Sequence, residues 1–281
     1  MVDESRALRY SDPMPAAEPS PVPIAAEETG AGRPLVLVHG WAMSSRLFAP
    51  LRDRLAGFRV VTPDLRGHGR SPAAPTATLE DHVADLAGLF ERLGLEDALL
   101  AGWSLGAQEA LAAAPRLGPR VAGLALLAGT PRFTLAEGWP HGLAAATVEA
   151  MALRFRRDPA RVLARFFDGM FAPGERAPEE RRALAEELLA AAPAPSPPAA
   201  LAGLDQLARV DLRESLGEVE RPALVLHGSA DSVCPPGAGA FLARRLPRAR
   251  LAVIEGAGHA PFLTRPAECA AALEGFAREL P

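Results

Sequence analysis

Residues 98–106, Ala98-Leu99-Leu100-Ala101-Gly102-Trp103-Ser104-Leu105-Gly106, decide how this chain is read. The run up to Gly102 is short, apolar and uninterrupted, as in a strand buried on both faces. A G-x-S-x-G pattern follows at once, and beyond it an Ala-rich stretch has the composition of a helix. Small residues at both ends of the pattern permit a sharp strand-to-helix turn that lifts the Ser104 hydroxyl above the sheet edge. The helix opening there supplies free N–H donors and the positive end of its dipole. The pattern alone is weak, because Gly and Ser are common in loops. The strand–turn–helix context makes Ser104 a candidate nucleophile.

Similar strands lie on both sides. Pro34–Val38 runs into His39-Gly40, Phe58–Thr62 stops at Pro63-Asp64, and Val121–Leu127, Ala223–Gly228 and Leu251–Ile254 follow. Helical periodicity fills the gaps. Leu47–Leu55 carries an apolar stripe, and Thr78 can cap a helix through Val83, Leu86, Leu89, Phe90 and Leu93. Pro266 suits the first position of a C-terminal helix ending near Leu280. This alternation implies an α/β protein with a mostly parallel, doubly wound sheet. It breaks between 132 and 218, where helices and loops alone are expected, with an Ala/Pro linker at Ala190–Ala200. We read that stretch as an inserted helical cap, the core as 34–131 and 219–281, and 1–33 as a loosely ordered or edge-strand extension.

Composition narrows the function. The 281 residues are 49% hydrophobic, with 30 basic against 34 acidic side chains and a net charge of −4. A length of this order buries a sizeable core without disulfides or metals, and a pI near 5.9 argues against a nucleic-acid binder. No apolar run is long enough for a membrane span. The polar start, MVDESRALRYSDPMP, lacks the pattern of a secretion signal, so a cytoplasmic, monomeric protein is expected. Cys234 and Cys269 form no CxxC and read as reduced structural thiols, and no metal or cofactor is called for. Cys234 does lie three residues after Asp231. All basic side chains are Arg, for the sequence contains neither Lys nor Asn.

A serine nucleophile needs a base, and the base needs an orienting carboxylate. Of six histidines, His39 and His227 end strands, His68 sits in a Gly-rich loop, His82 in a helix and His141 in the cap. Only His259 follows the last strand within a Gly-rich loop, Glu255–Pro261, with no periodicity to absorb it. Asp231 lies just past the strand Ala223–Gly228, where functional groups gather in open α/β sheets. Asp64 precedes Ser104 in the chain and Asp205 lies in the cap, which makes them weaker candidates. Backbone N–H groups at Trp41, after the strand Pro34–Val38, and at Leu105 are the expected oxyanion donors. The Trp41 indole is a candidate lining of an acyl pocket.

His39-Gly40-Trp41, Asp64–Ser71 (DLRGHGRS), Gly102–Gly106 and the late Asp231 and Gly258–Phe262 (GHAPF) stand in the order of the α/β-hydrolase superfamily, which the chain resembles over residues 34–280. Within it, the chain is most similar to the pimeloyl-ACP methyl ester carboxylesterases of biotin synthesis. Pro131-Arg132-Phe133, Trp139-Pro140, Gly203–Leu207 and Val210–Arg213, all at the ends of the cap, carry much of that likeness. The resemblance implies an α/β-hydrolase fold, Ser104 as nucleophile, Asp231 as acid, His259 as base, and Trp41, Leu105, Phe166 and Met43 as oxyanion and substrate-binding residues. It departs at Ala107, where the family often has Gly, and in the length of the N-terminal extension.

The cap carries its own charge pattern. Asp158-Pro159 suits an N-cap and first helical residue, after which Arg161 and Arg165 share one face. Residues 151–182 hold eight arginines against five acids, a net +3 that leaves −7 for the remainder. Such a cap suits an acidic carrier protein, and the resemblance implies that Arg161 and Arg165 dock acyl carrier protein. The expected activity is therefore serine carboxylesterase action on a carrier-linked methyl ester. A general short-chain esterase, lactonase, C–C hydrolase or cofactor-free haloperoxidase on the same fold, and a non-enzymatic binding module, are the alternatives.

Overall fold

The computed structural model describes residues 21–190 and 192–281. Residues 1–20 of the expected extension, and Ala191 of the expected linker, lie outside the described residues. Seven strands form one sheet: β1 (Ala26–Gly30), β2 (Arg33–Val38), β3 (Phe58–Pro63), β4 (Ala98–Trp103), β5 (Val121–Leu127), β6 (Ala223–Gly228) and β7 (Ala249–Ile254). Their order is β1-β3-β2-β4-β5-β6-β7; β1 runs antiparallel to β3 and every other pair is parallel. The sheet therefore starts at Ala26, within the segment read as an extension.

Ten helices cover it: α1 (Ala49–Arg52), α2 (Leu79–Leu93), α3 (Leu105–Leu117), α4 (Ala145–Arg157), α5 (Pro159–Asp168), α6 (Pro178–Ala190), α7 (Pro197–Arg209), α8 (Pro236–Arg245), α9 (Pro261–Thr264) and α10 (Pro266–Ala277) among the described residues. The strands show why the apolar runs are continuous. Along β2, Val36 and Val38 enter the core layer shared with α2 and α3, while Leu35 and Leu37 enter the layer shared with α1, α9 and α10. Period-two alternation puts successive side chains on opposite faces, and both faces are covered.

Local chemistry sets the element ends. Thr78 caps α2 by accepting from the Asp81 N–H while the Asp81 carboxylate accepts from the Thr78 N–H, and Gly94 closes the helix in the left-handed region. The stripe at Leu47–Leu55 forms a 3₁₀ turn, Ser45–Phe48, and then the single turn α1, because Pro50 suits the start of a helix rather than its middle. The last helix stops at Ala277. Leu280 instead packs on β5 at Gly123, where a Cβ would lie 2.7 Å from its Cδ2.

Between β5 and β6 the chain builds α4, α5, α6 and α7, with three isolated β-bridges, Arg132↔Asp211 among them, that the sequence reading of this stretch as helices and loops alone did not contain. An Arg132–Asp211 ion pair at 2.9 Å ties the two ends of the excursion together. Asp158 caps α5 by accepting from the Arg161 N–H. The Ala/Pro linker is shorter than expected, because the Ser196 hydroxyl accepts from the Ala199 N–H and Pro197 begins α7. The Trp41 indole N–H donates to the Ala200 carbonyl at 2.7 Å, and Gly203 lets α7 lie against that ring.

Candidate active site

Ser104 links β4 to α3 with φ 56° and ψ −115°, a conformation that a residue with a side chain rarely adopts. The glycines around it are required sterically. A Cβ on Gly102 would lie 1.9 Å from the Gly106 carbonyl oxygen, and one on Gly106 would lie 2.3 Å from the Val38 carbonyl oxygen. The turn is thus folded back on itself and pressed against β2. Leu105 is the first residue of α3, where a helix leaves its N–H without an intrahelical acceptor. Gly40 arrives from the end of β2, so close that a Cβ there would be 3.2 Å from the Ser104 Cβ.

His259 and Asp231 come to the same point from the carboxyl ends of β7 and β6. The Ser104 hydroxyl donates to His259 Nε2 at 2.9 Å, and His259 Nδ1–H donates to Asp231 Oδ2 at 2.9 Å. All three side chains are buried. The Val233 and Cys234 N–H groups donate to Asp231 Oδ1 at 2.8 and 2.9 Å, which fixes the carboxylate in its turn. Burial opposes ionisation of Asp231, but His259 and hydrogen bonds from His227 and His259 outweigh it and hold the carboxyl well below the usual carboxylate range. The three side chains therefore form a hydrogen-bonded chain, an arrangement able to pass a proton from the Ser104 hydroxyl to an oriented imidazole.

Several supports were not legible as functional. His227, read simply as the end of a strand, donates from Nε2 to the Cys234 carbonyl at 2.8 Å and lies 3.4 Å from Asp231 Oδ2, bracing the acid's turn. The Trp103 indole N–H donates to the His259 carbonyl at 2.8 Å. From the cap, the Met170 carbonyl accepts from the His259 N–H at 2.7 Å, and Glu175 Oε2 accepts from the Gly258 N–H at 2.9 Å. Glu175 entered the sequence reading only as one of the cap's acids. Its one recognisable signal is its place in a turn before α6, which says nothing of a partner at Gly258.

Trp41 and Phe166 meet edge to face at 5.0 Å and, with Phe133, Val148, Met151 and Leu204, line an apolar cavity of about 130 Å³. Phe166 lies 6.5 Å from the His259 ring. Met43 is elsewhere, packed into the core layer with Leu47 and Phe48, and does not line that cavity. Arg161 and Arg165 are exposed on α5 and make none of the contacts that join Ser104, His259 and Asp231. Cys234 sits beside the Ser104 hydroxyl, but burial and the Asp231 charge push its thiol well above the usual range, so it stands as a neutral thiol. Cys269, on the buried side of α10, is pushed up to about 12, chiefly by burial. Among the described residues, no group of three or more His, Cys, Asp or Glu side chains is placed to hold a metal, and no helix is long and apolar enough to cross a membrane.

The chain is similar to known proteins over most of its length. Residues 33–266 match the alpha/beta hydrolase fold family. A pimeloyl-[acyl-carrier protein] methyl ester esterase of Aromatoleum aromaticum is 42% identical over 253 residues, covering 87% of this chain and 98% of that protein. One of the same name from Stenotrophomonas maltophilia is 38% identical, covering 90% and 95%. Among solved structures, an esterase from Exiguobacterium antarcticum superposes with a TM-score of 0.84 at 28% identity, covering 91% of this chain and 95% of its own. A bromoperoxidase from Bacillus anthracis gives 0.83 at 29% identity, with the same coverage.

The buried histidines near β2 set a pH dependence. Burial lowers His68 from 6.5 to about 3 and lowers His39 as well, so both are neutral in the fold. Unfolded, they take up protons near pH 6.5; between there and pH 3 the unfolded state binds more protons, and stability falls as pH falls. His82, raised by Glu109 against the opposing effect of burial, acts with the opposite sign. The urea midpoint of the protein should drop between pH 7 and pH 5, and His68→Gln should reduce that drop. An unchanged slope in the variant would contradict the assignment.

Proposed function

The chain belongs to the alpha/beta hydrolase fold family and is a carboxylic ester hydrolase; from that premise we propose that it cleaves the methyl ester of a pimeloyl chain held on acyl carrier protein, through Ser104. One observation carries the mechanism: the relay Ser104–His259–Asp231, with both links at 2.9 Å. In this reading Ser104 Oγ attacks the ester carbonyl carbon as its proton passes to His259 Nε2. The imidazolium that forms is stabilised by the ionised Asp231. The N–H groups of Trp41 and Leu105 receive the oxyanion, worth roughly 3 to 4 kcal/mol per donor in comparable enzymes. His259 then protonates the departing methoxide. Water, deprotonated by the same imidazole, attacks the acyl-enzyme and releases the free acid and Ser104. No metal or cofactor enters these steps.

The named substrate of the relatives supports the choice of ester, and the cap supports the carrier. Arg154, Arg156, Arg157, Arg161 and Arg165 are exposed, and among the described residues none of them forms an ion pair. An acidic carrier docked there would keep its acyl chain close to the apolar cavity of Trp41 and Phe166. We place the enzyme in the cytoplasm as a monomer. Lactonase, C–C hydrolase and haloperoxidase chemistry could use the same relay, and a panel of substrates separates them from ester hydrolysis.

Replacing Ser104 by Ala should lower kcat on pimeloyl-ACP methyl ester by roughly a million-fold, the scale seen when such a nucleophile is removed, with unchanged circular dichroism; retained turnover would exclude Ser104 as nucleophile. Charge reversal at both Arg161 and Arg165 should cut kcat/KM on the carrier-linked ester by about tenfold, the effect of a lost charge complementarity, and leave a free short-chain methyl ester within twofold. Equal losses on both substrates would count against docking at α5.

A further inference from the structure

The DLRGHGRS stretch, Asp64–Ser71, takes no part in the relay, yet it grips His39, two residues before the expected oxyanion donor Trp41. His39 is completely buried at the end of β2. The Leu65 N–H donates to its Nε2 at 3.0 Å, so that nitrogen carries no proton. Its Nδ1 faces the Gly40 carbonyl oxygen at 2.9 Å, and since a carbonyl only accepts, the proton is on Nδ1. The two contacts admit one state of this ring, the neutral Nδ1–H tautomer. Leu65 is itself held. Asp64, just before it, accepts from the Ser45 N–H at 2.8 Å and the Arg70 N–H at 3.0 Å. Arg66, just after it, is buried against Asp85 at 2.6 Å.

The carbonyl that His39 holds belongs to the peptide joining Gly40 to Trp41. In a planar trans peptide the C=O and the N–H point in opposite directions, so fixing one fixes the other. The Met43 N–H also donates to the Gly40 oxygen, at 3.3 Å. This peptide lies against the nucleophile, given the 3.2 Å that a Cβ on Gly40 would leave to the Ser104 Cβ. We propose that His39 is a positioning residue: its Nδ1–H anchors the Gly40 carbonyl and thereby sets the direction in which the Trp41 N–H meets the oxyanion. Asp64–Ser71 then has a stated role, to hold Leu65 so that His39 keeps the tautomer that donates to Gly40. The inference rests on the reading of Ser104 as an esterase nucleophile.

The test uses the full-length enzyme, a short methyl ester, and a trifluoromethyl ketone whose adduct with serine carries the oxyanion. His39→Asn retains an N–H near the Nδ1 position; His39→Gln retains an amide near Nε2 and gives up the donor to Gly40. We expect the Gln variant to lose ten- to a hundredfold in kcat with KM within about twofold, less than the full loss of one oxyanion donor. Its affinity for the ketone should fall by the same factor, and the Asn variant should lose at least fivefold less. Equal kcat in the two variants, or a fall in kcat with unchanged ketone affinity, would overturn the inference. If the Gln variant does not fold, a tenfold or greater loss of kcat in a folded Asn variant would overturn it as well, and a smaller loss would support it. Failure of the unaltered enzyme to hydrolyse any ester would overturn the reading of Ser104 and the inference with it, whereas a competent enzyme with unimpaired His39 variants would overturn the inference alone.

Discussion

Everything at the site depends on how closely the backbone of β4 and α3 folds back on itself around Ser104. A methyl group on Gly102 would overlap the Gly106 carbonyl, and one on Gly106 would overlap the Val38 carbonyl of β2. That closeness holds Ser104 at a positive φ, a strain on the order of 1 to 3 kcal/mol that persists only because the surroundings over-determine it. β4 supplies the determination, since it is the central strand, buried along its whole length between β2 and β5. The same pressing together brings Gly40 beside Ser104, so nucleophile and candidate oxyanion donors are placed by one packing constraint.

A second constraint couples the cap to the chemistry. The His259 turn hangs from the Met170 carbonyl and Glu175, both in the cap, and from Trp103 beneath. On the other side of the cavity α7 is fastened to the core by the Trp41 indole and by Gln206, which donates to Glu109 at 2.9 Å. The His82–Glu109 pair at 2.8 Å lies in the same buried polar cluster. The segment between β5 and β6 that lines the apolar cavity therefore also holds the backbone of the His259 turn.

Much of this was legible in the sequence, for identifiable reasons. The parallel sheet could be read from unbroken apolar strands, since strands covered on both faces have no polar side to show. Ser104, Asp231 and His259 each stand directly after a strand, where side chains meet over the sheet edge. The caps at Thr78 and Asp158, and Pro266 as the first residue of α10, follow from short-range chemistry. Contacts between distant segments were not legible. Nothing local to Glu175 tells of the Gly258 N–H, and His39 and His227 look like ordinary strand-end histidines until their partners 26 and 7 residues away are known. Met43 was grouped with the substrate site through the family resemblance, yet after a turn at Gly40 it packs in the core layer opposite to that of Trp41. Pro50 split a helix that apolar spacing alone would continue, and the edge-strand alternative for the first segment could not be given bounds, because the β1 stretch AEETG carries no apolar alternation and pairs only at the sheet edge.

Ser104 is proposed as the one activated nucleophile among the hydroxyl and thiol groups of the described residues. The most direct test is covalent labelling with a serine-reactive alkyl phosphonate, read by intact mass and by peptide mapping. The account predicts one adduct per chain, on the peptide carrying Ser104, formed at a rate that collapses when His259 is replaced. The absence of any adduct, or an adduct on Cys234 or another serine with Ser104 unmodified, would contradict it.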